Sequence, residues 1–574
     1  MAEAYAPAHI IPDQAALDTK LARLQVGKQA WVQLAVAEHI AIIDRLIAEL
    51  PAIEERWVAA SLAVKGAQPR SLAEGEERFT LTVTYRLLRY LRKALVDIET
   101  HGQPRLPGKV CWKHAGEWRV DVFPQTLADR IAMPFIHAEV RVYDSMQGDE
   151  PPRAAFYRQP EPQPTTCLVL AAGNIASTIN YDFLHKLFVE GQAVLLKINP
   201  VNAYLAPLIE EGFRALVEPG YMQVVEGGAE VASYLVNHAE IDELHLTGSD
   251  RTYEAIVFGP GEEGRQRKQN KQPLVTKPFS AELGNISPVV VVPGPWSTGD
   301  VRRQAAKIGG WLVRNAGFNC ITPRMLIQHA GWERRQALND GIAAYLDTMD
   351  TRMAYYPGAE RLHARFTEAY PQARQLGQPK AAGQPKAGHL PWTFVSGLDP
   401  ADADQLAFCE EPFMGLFSET ALDAADTVEF IANAVKFANE QLWGTLSASI
   451  IVHPKSLQDP LVAAAVEQAV SDLNYGTVVV NHWGALGYYM CTTPWGAPPG
   501  HDMYDIQSGI GFVNNPLMFD RPLKSVVRAP FVSIPDPYHA HAKHSYRYFR
   551  QDTRYHAKPS LGNLVKLLWH AVFS

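Results

Sequence analysis

The chain has 574 residues, of which 47% are hydrophobic and 20% charged, and its net charge is −8. This length is too great for one compact core and predicts two or three domains of ordinary globular composition. The negative charge argues against nucleic acid as a general partner. Five scattered cysteines without C-x-x-C spacing favour free thiols in a reducing compartment over a disulfide framework or a structural zinc site.

The amino-terminal region is predicted to be helical and to lack a targeting signal. The first residues, MAEAYAPAHIIPDQ, contain no basic segment followed by an apolar stretch, so they do not form a secretory signal. Residues 16–65 have helical periodicity. Together with the free thiols, these features lead us to expect a cytoplasmic protein.

From about residue 165, short apolar segments alternate with segments of helical character. The apolar segments are TCLVLAAGN, AVLLKINP, MQVVEGG, ELHLTGS and SPVVVVPG. This alternation predicts a parallel sheet covered on both faces, and such sheets bind ligands at the carboxyl ends of their strands. The residues of interest at these ends are Asn174, Lys197, Gly228, Ser249 and Glu282.

A second α/β region is predicted over residues 288–485. It contains a helix at 300–314, the hexapeptide NAGFNC and a strand at 324–328. The Pro/Gly/Lys-rich segment 375–392 is typical of a surface loop. Beyond about residue 500 there is little periodicity.

One glycine-rich hexapeptide is interpreted as unrelated to nucleotide binding. GPGEEG (259–264) fits G-x-G-x-x-G formally, but RQRKQNKQP follows it, and that segment cannot form the apolar helix of a dinucleotide fingerprint. We interpret 265–271 as an inserted basic loop.

Six short motifs occur in a fixed order along the chain. They are AAGN (171–174), LLKINP (195–200), LTGS (246–249), AELGNISP (281–288), NAGFNC (315–320) and EEPFMG (410–415). Each is weak alone, but in this order they resemble the aldehyde dehydrogenase superfamily.

The resemblance implies an α/β fold with a Rossmann-type cofactor domain, a second α/β catalytic domain and a β-hairpin oligomerisation arm. The implied division of the chain is a helical part of the cofactor domain at 1–134, a bridging or oligomerisation segment at 135–160, the Rossmann-type NAD(P)-binding domain at 161–286, the catalytic domain at 287–485, and an oligomerisation segment with a C-terminal extension at 486–574. It also implies a homodimer or homotetramer.

Three residues are the candidate catalytic group. A thiolate adds to an aldehyde carbonyl, so Cys320 is the candidate nucleophile. The resemblance implies that the Asn174 amide and the Cys320 N–H stabilise the oxyanion. Glu282 is the candidate base for the water that cleaves the thioester.

The resemblance further implies a set of residues that bind NAD or NADP. The set is Lys197, Asn199, Gly228, Gly248, Ser249, Glu411 and Phe413. Two positions depart from the family pattern. Pro200 stands where NAD-preferring relatives often carry a glutamate, which permits NADP, and Tyr253 replaces a second glycine near the pyrophosphate.

The resemblance implies NAD(P)-dependent oxidation of an aldehyde to a carboxylic acid, with a CoA-acylating dehydrogenase or acyl-CoA reductase as the alternative. Glu282 favours hydrolysis. AAGNIAST and GFNC are closer to coenzyme A-dependent relatives, and the basic segment 265–271 is either solvated or an anchor for a 2′-phosphate, coenzyme A or an acidic carrier. A non-catalytic scaffold is a third alternative.

The carboxyl-terminal segment raises two further questions. LGNLVKLLWHAVF (561–573) is too short to span a bilayer, and we expect a docked amphipathic helix rather than attachment to a membrane surface. HAHAKH (539–544) has no accompanying cysteine or acidic ligands, so no metal site is expected.

Overall fold

The computed structural model describes residues 14–113, 116–145, 148–377, 387–533 and 544–573. The helices are α1 (Gln14–Trp31), α2 (Val36–Glu49), α3 (Glu54–Val64), α4 (Leu72–His101), α5 (Leu127–Ala132), α6 (Ala176–Phe188), α7 (Ala206–Gly212), α8 (Arg214–Val217), α9 (Ala229–Asn237), α10 (Asp250–Val257), α11 (Gly261–Gln269), α12 (Thr298–Val313), α13 (Arg335–Asp347), α14 (Ala359–Ala369), α15 (Leu406–Cys409), α16 (Thr427–Gln441), α17 (Pro460–Asp472), α18 (Ala485–Met490), α19 (Ser545–Ala557) and α20 (Leu561–Phe573). The strands are β1 (Val110–Lys113), β2 (Glu117–Phe123), β3 (His137–Tyr143), β4 (Thr166–Leu170), β5 (Ala193–Lys197), β6 (Met222–Val225), β7 (Glu243–Thr247), β8 (Phe279–Glu282), β9 (Ser287–Val291), β10 (Pro323–His329), β11 (Arg352–Met353), β12 (Arg374–Leu376), β13 (His389–Leu390), β14 (Trp392–Leu398), β15 (Leu416–Leu422), β16 (Ser447–Ile451), β17 (Thr477–Val480), β18 (Trp495–Gly496), β19 (Gly509–Ile510), β20 (Phe512–Val513) and β21 (Pro522–Arg528).

The first sheet has the strand order β6–β5–β4–β7–β8, with β19 added antiparallel to β8. The first five strands are parallel, and their residues are almost all buried because helices cover both faces. The order reverses between β4 and β7, which is the point where Rossmann-type sheets open a crevice for ligands. The predicted Rossmann-type sheet is therefore confirmed.

The second sheet has eleven strands in the order β1–β2–β3–β21–β17–β16–β9–β10–β15–β14–β12. The strands from β21 to β14 are parallel, and the edge strands β1, β2, β3 and β12 are antiparallel. The predicted second α/β region is confirmed. Of the antiparallel strands at the β1 edge, β3 lies within 135–160, whereas β1 and β2 precede that segment. Their role in oligomerisation stays a prediction.

One expectation about an irregular segment is wrong. Residues 265–269 of the supposed basic loop lie in α11, because acidic residues one turn away neutralise the cations, as in the Arg265–Glu262 and Arg267–Glu263 ion pairs. The chain after residue 500 also forms regular structure, since β21 joins the second sheet and α19 packs on α4.

Some expectations concern residues that the structure does not describe. Residues 378–386 of the predicted surface loop and residues 539–543 of the histidine-rich hexapeptide lie outside the described residues. Within the described ranges, no helix has the length and apolarity to cross a membrane, and no group of three or more His, Cys, Asp or Glu side chains is arranged to hold a metal ion.

Candidate active site

The structure brings the three predicted catalytic residues together where the two sheets meet. Asn174 follows β4 and Glu282 ends β8, both at the carboxyl edge of the first sheet, whereas Cys320 precedes β10 of the second. The Cys320 thiol donates a hydrogen bond to Glu282 Oε1 at 3.4 Å. Asn174 Nδ2 donates to the carbonyl of Phe318 at 3.1 Å, two residues before the cysteine.

The thiol and the carboxylate shift each other toward their neutral forms. Burial raises the pKa of Glu282 to about 7, and the Asp182 carboxylate adds to the rise, while the Trp495 indole and the Cys320 thiol oppose it. Burial also raises the pKa of Cys320 well above its usual value, followed by the charges of Glu282 and Glu411. At neutral pH the resting cysteine is therefore a thiol beside a carboxyl group that is about half ionised.

The loop before Cys320 has a left-handed backbone conformation that residues other than glycine rarely adopt. Asn315, Ala316 and Gly317 are all left-handed, with φ of 49°, 55° and 82°. A Cβ on Gly317 would lie 2.6 Å from the backbone of Met414 and Gly415, so glycine is required there. This loop aims the cysteine at the first sheet, and strained backbone of this kind persists only where the surroundings fix it.

Arg324 is one of the groups that fix the loop. Its buried guanidinium donates to the Gly317 carbonyl at 2.7 Å and to the carbonyl of Met414. It thereby ties the cysteine loop to the segment that follows α15. Burial lowers the pKa of Arg324 to about 10, against the effect of Glu411.

A second group of buried polar side chains holds Asn174 and Asn315. Lys65 Nζ donates to Glu77 Oε1 at 2.6 Å and to Asn315 Oδ1 at 3.0 Å. Asn315 Nδ2 donates to the carbonyls of Phe318 at 3.0 Å and Asn174 at 3.3 Å. The Tyr355 hydroxyl lies 2.9 Å from the Asn174 carbonyl and 3.0 Å from Asn315 Oδ1. The N-terminal helices α3 and α4 thus support the residues around the cysteine.

Lys197 ends β5 with its side chain almost fully buried. Its ammonium group forms no hydrogen bond to any of the residues that the structure describes. Burial lowers its pKa to about 8, although the carboxylate of Glu230 favours the charged form. A buried cation without a hydrogen-bonded partner suits an anionic or hydroxyl-bearing ligand.

The other predicted cofactor residues on the first sheet act locally as turn and cap residues. Ser249 caps α10 by accepting from the Thr252 N–H at 3.2 Å, and the Gly248 N–H donates to the carbonyl of Glu282 at 3.1 Å. Asn199 Oδ1 accepts from the Val201 N–H at 3.1 Å. The Gly228 N–H donates to Glu230 Oε1 at 3.0 Å. The structure places all four at the strand ends where they were expected.

Glu411 and Phe413 lie on the opposite wall of the site. The Glu411 carboxylate packs so closely on Gly284 that a Cβ there would lie 1.9 Å from its Oε2. Its Oε1 has no hydrogen-bond partner among the described residues, and burial raises its pKa to about 8. The Phe413 ring contacts the rings of Phe318 and Tyr356 at centroid distances of 6.0 and 5.0 Å.

An apolar cavity of about 120 Å³ reaches Cys320 from the side of the N-terminal helices. Aromatic side chains form much of its wall, namely Phe79, Trp311, Trp483, Tyr488, Tyr489 and Phe549. Phe549 belongs to α19, so the C-terminal extension contributes to the cavity. The shape and apolar lining of the cavity suit the apolar part of a substrate whose reacting atom lies against the Cys320 sulfur.

The sequence analysis missed several residues of this site, namely Lys65, Glu77, Arg324, Tyr355, Glu230 and Phe549. None lies in a motif that the chain shares with the family. The sequence carries one signal that could have found some of them, since a lysine or glutamate at a buried position of a helical pattern requires a charged partner.

The fold and the site together define a class of two-domain α/β proteins, in which a cysteine of one sheet meets a glutamate at the strand ends of a Rossmann-type sheet. Residues 137–350 match the model of the aldehyde dehydrogenase family. This match assigns an aldehyde dehydrogenase family domain to that part of the chain.

The relatives agree with this placement. The chain is 27% identical to aldehyde dehydrogenase LUC3 of a Fusarium species over 221 residues, which are 37% of this chain and 44% of that protein. It is 25% identical to 4,4′-diaponeurosporen-aldehyde dehydrogenase of Staphylococcus aureus over 164 residues, 29% of this chain and 32% of that protein. These matches thus span less than half of either relative.

Solved structures resemble the chain over most of its length. A mutant of aldehyde dehydrogenase C from Pseudomonas syringae, bound to NAD+ and octanal, superimposes with a TM-score of 0.60 at 17% identity, covering 90% of this chain and 89% of that one. NADP-dependent glyceraldehyde-3-phosphate dehydrogenase from Bacillus halodurans, bound to NADP, gives 0.58 at 16% identity, covering 90% and 91%. At this identity the likeness concerns the fold.

Proposed function

We propose that the protein oxidises an apolar aldehyde to the carboxylic acid with NAD or NADP, through a covalent intermediate on Cys320. The observation that carries the proposal is the 3.4 Å contact between the Cys320 thiol and Glu282 at the end of an apolar cavity. A carboxyl group with a pKa of about 7 can accept and return protons at neutral pH.

The residues of this chain perform the acid–base steps. Glu282 takes the thiol proton of Cys320 as the sulfur attacks the aldehyde carbon. The Asn174 amide and the Cys320 N–H stabilise the oxyanion of the resulting thiohemiacetal. Loss of hydride leaves a thioester on Cys320. Glu282 releases the first proton to solvent. It then takes a proton from the water that attacks the thioester and returns this proton to the departing sulfur, which leaves the acid and the free thiol.

The side chains around the strand ends fit a nicotinamide dinucleotide. The chemistry such a cofactor supplies when bound is acceptance of the hydride. Lys197, a buried cation that donates no hydrogen bond to the described residues, would hold the adenosine ribose or its phosphate. Glu411 would hold the nicotinamide ribose, since its Oε1 accepts no hydrogen bond from the described residues. Gly248 and Ser249 at the start of α10 would face the pyrophosphate.

Glu230 favours NAD over NADP. Pro200 leaves no carboxylate three residues after Lys197, but Glu230 of α9 interacts electrostatically with that lysine. A carboxylate at this point repels a 2′-phosphate and can accept from a 2′-hydroxyl. NADP is therefore permitted by Pro200 and disfavoured by Glu230.

Coenzyme A is the less favoured acyl acceptor. The segment 265–271 suggested an anchor for its phosphates, but Arg265, Arg267 and Lys268 each pair with a glutamate, at 2.6 Å for Lys268 and Glu254. Paired cations attract a phosphate weakly. The base Glu282 is also the residue that a hydrolytic enzyme requires.

The test is cofactor reduction, followed by absorbance, with short, long and aromatic aldehydes, each with NAD or NADP and with or without coenzyme A. We expect turnover without coenzyme A, loss of all dehydrogenation in Cys320→Ala, and accumulation of a thioester on Cys320 in Glu282→Gln, detected by intact mass. Cys111→Ala, which removes a partly exposed thiol from the edge strand β1, is the matched control. Turnover by Cys320→Ala, or turnover that requires coenzyme A, refutes the proposal.

A further inference from the structure

The helix α20 has an apolar face that the other described residues leave open. Five apolar side chains are 57% to 77% exposed, namely Leu561, Val565, Trp569, Val572 and Phe573. We call them the α20 stripe. At about 100° per residue, the first four fall within an arc of about 80°, and the Trp569 and Phe573 rings touch at a centroid distance of 4.3 Å. The stripe is thus continuous.

The stripe is separate from the face that holds α20 to the protein. Leu564 and Leu567 are buried on the opposite side, where Leu567 packs on Tyr548 and Phe549 of α19. The Gln551 amide also donates to the Asn563 carbonyl at 3.1 Å. The predicted docked helix is therefore present, but docking uses about half of its apolar surface.

The charge around the stripe is opposite to that of the whole chain. Residues 544–573 contain five Lys or Arg residues and one acidic residue, Asp552, whereas the chain as a whole has a net charge of −8. Asp552 is buried and faces the Tyr489 hydroxyl. The cations Arg547, Arg554, Lys558 and Lys566 are exposed, and Lys566 borders the stripe.

We propose that the α20 stripe docks on an anionic lipid surface, with α20 lying in the plane of the headgroups. An amphipathic helix with an exposed tryptophan and flanking cations binds such a surface through apolar burial and attraction to anionic headgroups. In this orientation the part of the cavity wall that contains Phe549 of α19 lies near the lipid.

A second copy of this chain fits the stripe less well. A 13-residue helix is about 20 Å long, so a stripe about 10 Å wide offers roughly 200 Å², against about 800 Å² per partner in a stable interface. Two copies would also bring their exposed cations together, which repel one another. An anionic surface has neither difficulty.

Co-sedimentation with vesicles tests the proposal. The full chain is spun with phosphatidylcholine vesicles with and without phosphatidylserine, at low and high salt. We expect binding to the serine-containing vesicles that weakens with salt, and a loss of about tenfold or more in the partition coefficient of Val565→Glu/Trp569→Glu. Leu461→Glu, which charges a side chain that is 70% exposed on α17, is the matched control and should bind like the parent.

Three results of the co-sedimentation overturn the proposal. They are absence of binding by the parent at low salt, equal binding by the double variant, and equal loss in Leu461→Glu. Light scattering on the same proteins tests the alternative that a second copy of the chain covers the stripe. If the parent is an oligomer that dissociates in the double variant, the stripe serves self-association and docking on lipid is overturned. Aldehyde turnover in solution should persist in the double variant, which separates this proposal from the catalytic one.

Discussion

Glu282→Gln should make the protein more stable while it removes the base. Glutamine keeps the shape of the side chain and cannot ionise. The folded protein raises the pKa of this carboxyl from about 4.5 to about 7. Ionised Glu282 therefore costs stability, and this cost begins above the unfolded pKa, grows until pH 7 and is constant above it. At 1.36 kcal/mol per pKa unit, the full cost is about 3 kcal/mol, an upper bound.

The measurement is the apparent Tm of the parent and of Glu282→Gln at pH 5 and pH 8. The variant should melt at a higher temperature at pH 8, and the difference should shrink at pH 5, where the carboxyl of the folded parent is protonated. Glu419→Gln removes a buried carboxylate that pairs with Arg335 at 2.8 Å, so this control should lower the Tm. A Tm for Glu282→Gln that is unchanged or lower at pH 8 would refute the burial argument. The same variant should slow thioester hydrolysis by about 10² to 10⁴, and the rise of the parent rate with pH should centre near 7.

Two further predictions concern specificity. Glu230→Gln should raise the ratio of kcat/KM for NADP to that for NAD on the order of tenfold, because it removes a like charge from the site of the 2′-phosphate; an unchanged ratio would contradict the role given to Glu230. Phe549→Ala should shift the aldehyde preference toward longer chains by about fourfold in kcat/KM for each methylene that the larger cavity admits. Tyr548→Ala, a buried neighbour outside the cavity wall, should leave the preference unchanged.

The alternation of apolar segments predicted the Rossmann-type sheet because strands buried on both faces have no other partner for their side chains. It also placed Asn174, Lys197 and Glu282 at one edge, since parallel strands end together. The helix α11 escaped prediction because its sequence has no apolar face, and ion pairs within it and to α10 stabilise it instead. Lys65 donates a hydrogen bond to Asn315 although the two residues are 250 positions apart in the sequence. No local sequence pattern indicates such a contact.

The buried ion pair of Lys65 and Glu77 is best explained by the placement of Asn315. Burial lowers the pKa of Lys65, but the Glu77 carboxylate together with Tyr355 and Tyr204 more than offsets this, so the lysine stays charged. An apolar pair of similar size would stabilise the fold as well or better, but it could not donate to Asn315, whose amide reaches the Asn174 carbonyl. Lys65→Met alone should destabilise the protein by about 3 to 5 kcal/mol, because Glu77 is left buried without a partner.

The double variant Lys65→Met/Glu77→Leu separates structure from positioning. It should recover the Tm of the parent while kcat stays low and KM changes little, because Asn174 is no longer held in place. A double variant with the kcat of the parent would mean that the pair acts only on stability. A low kcat at the parental Tm would show instead that the N-terminal helices help to align Asn174, which the sequence motifs alone do not reveal.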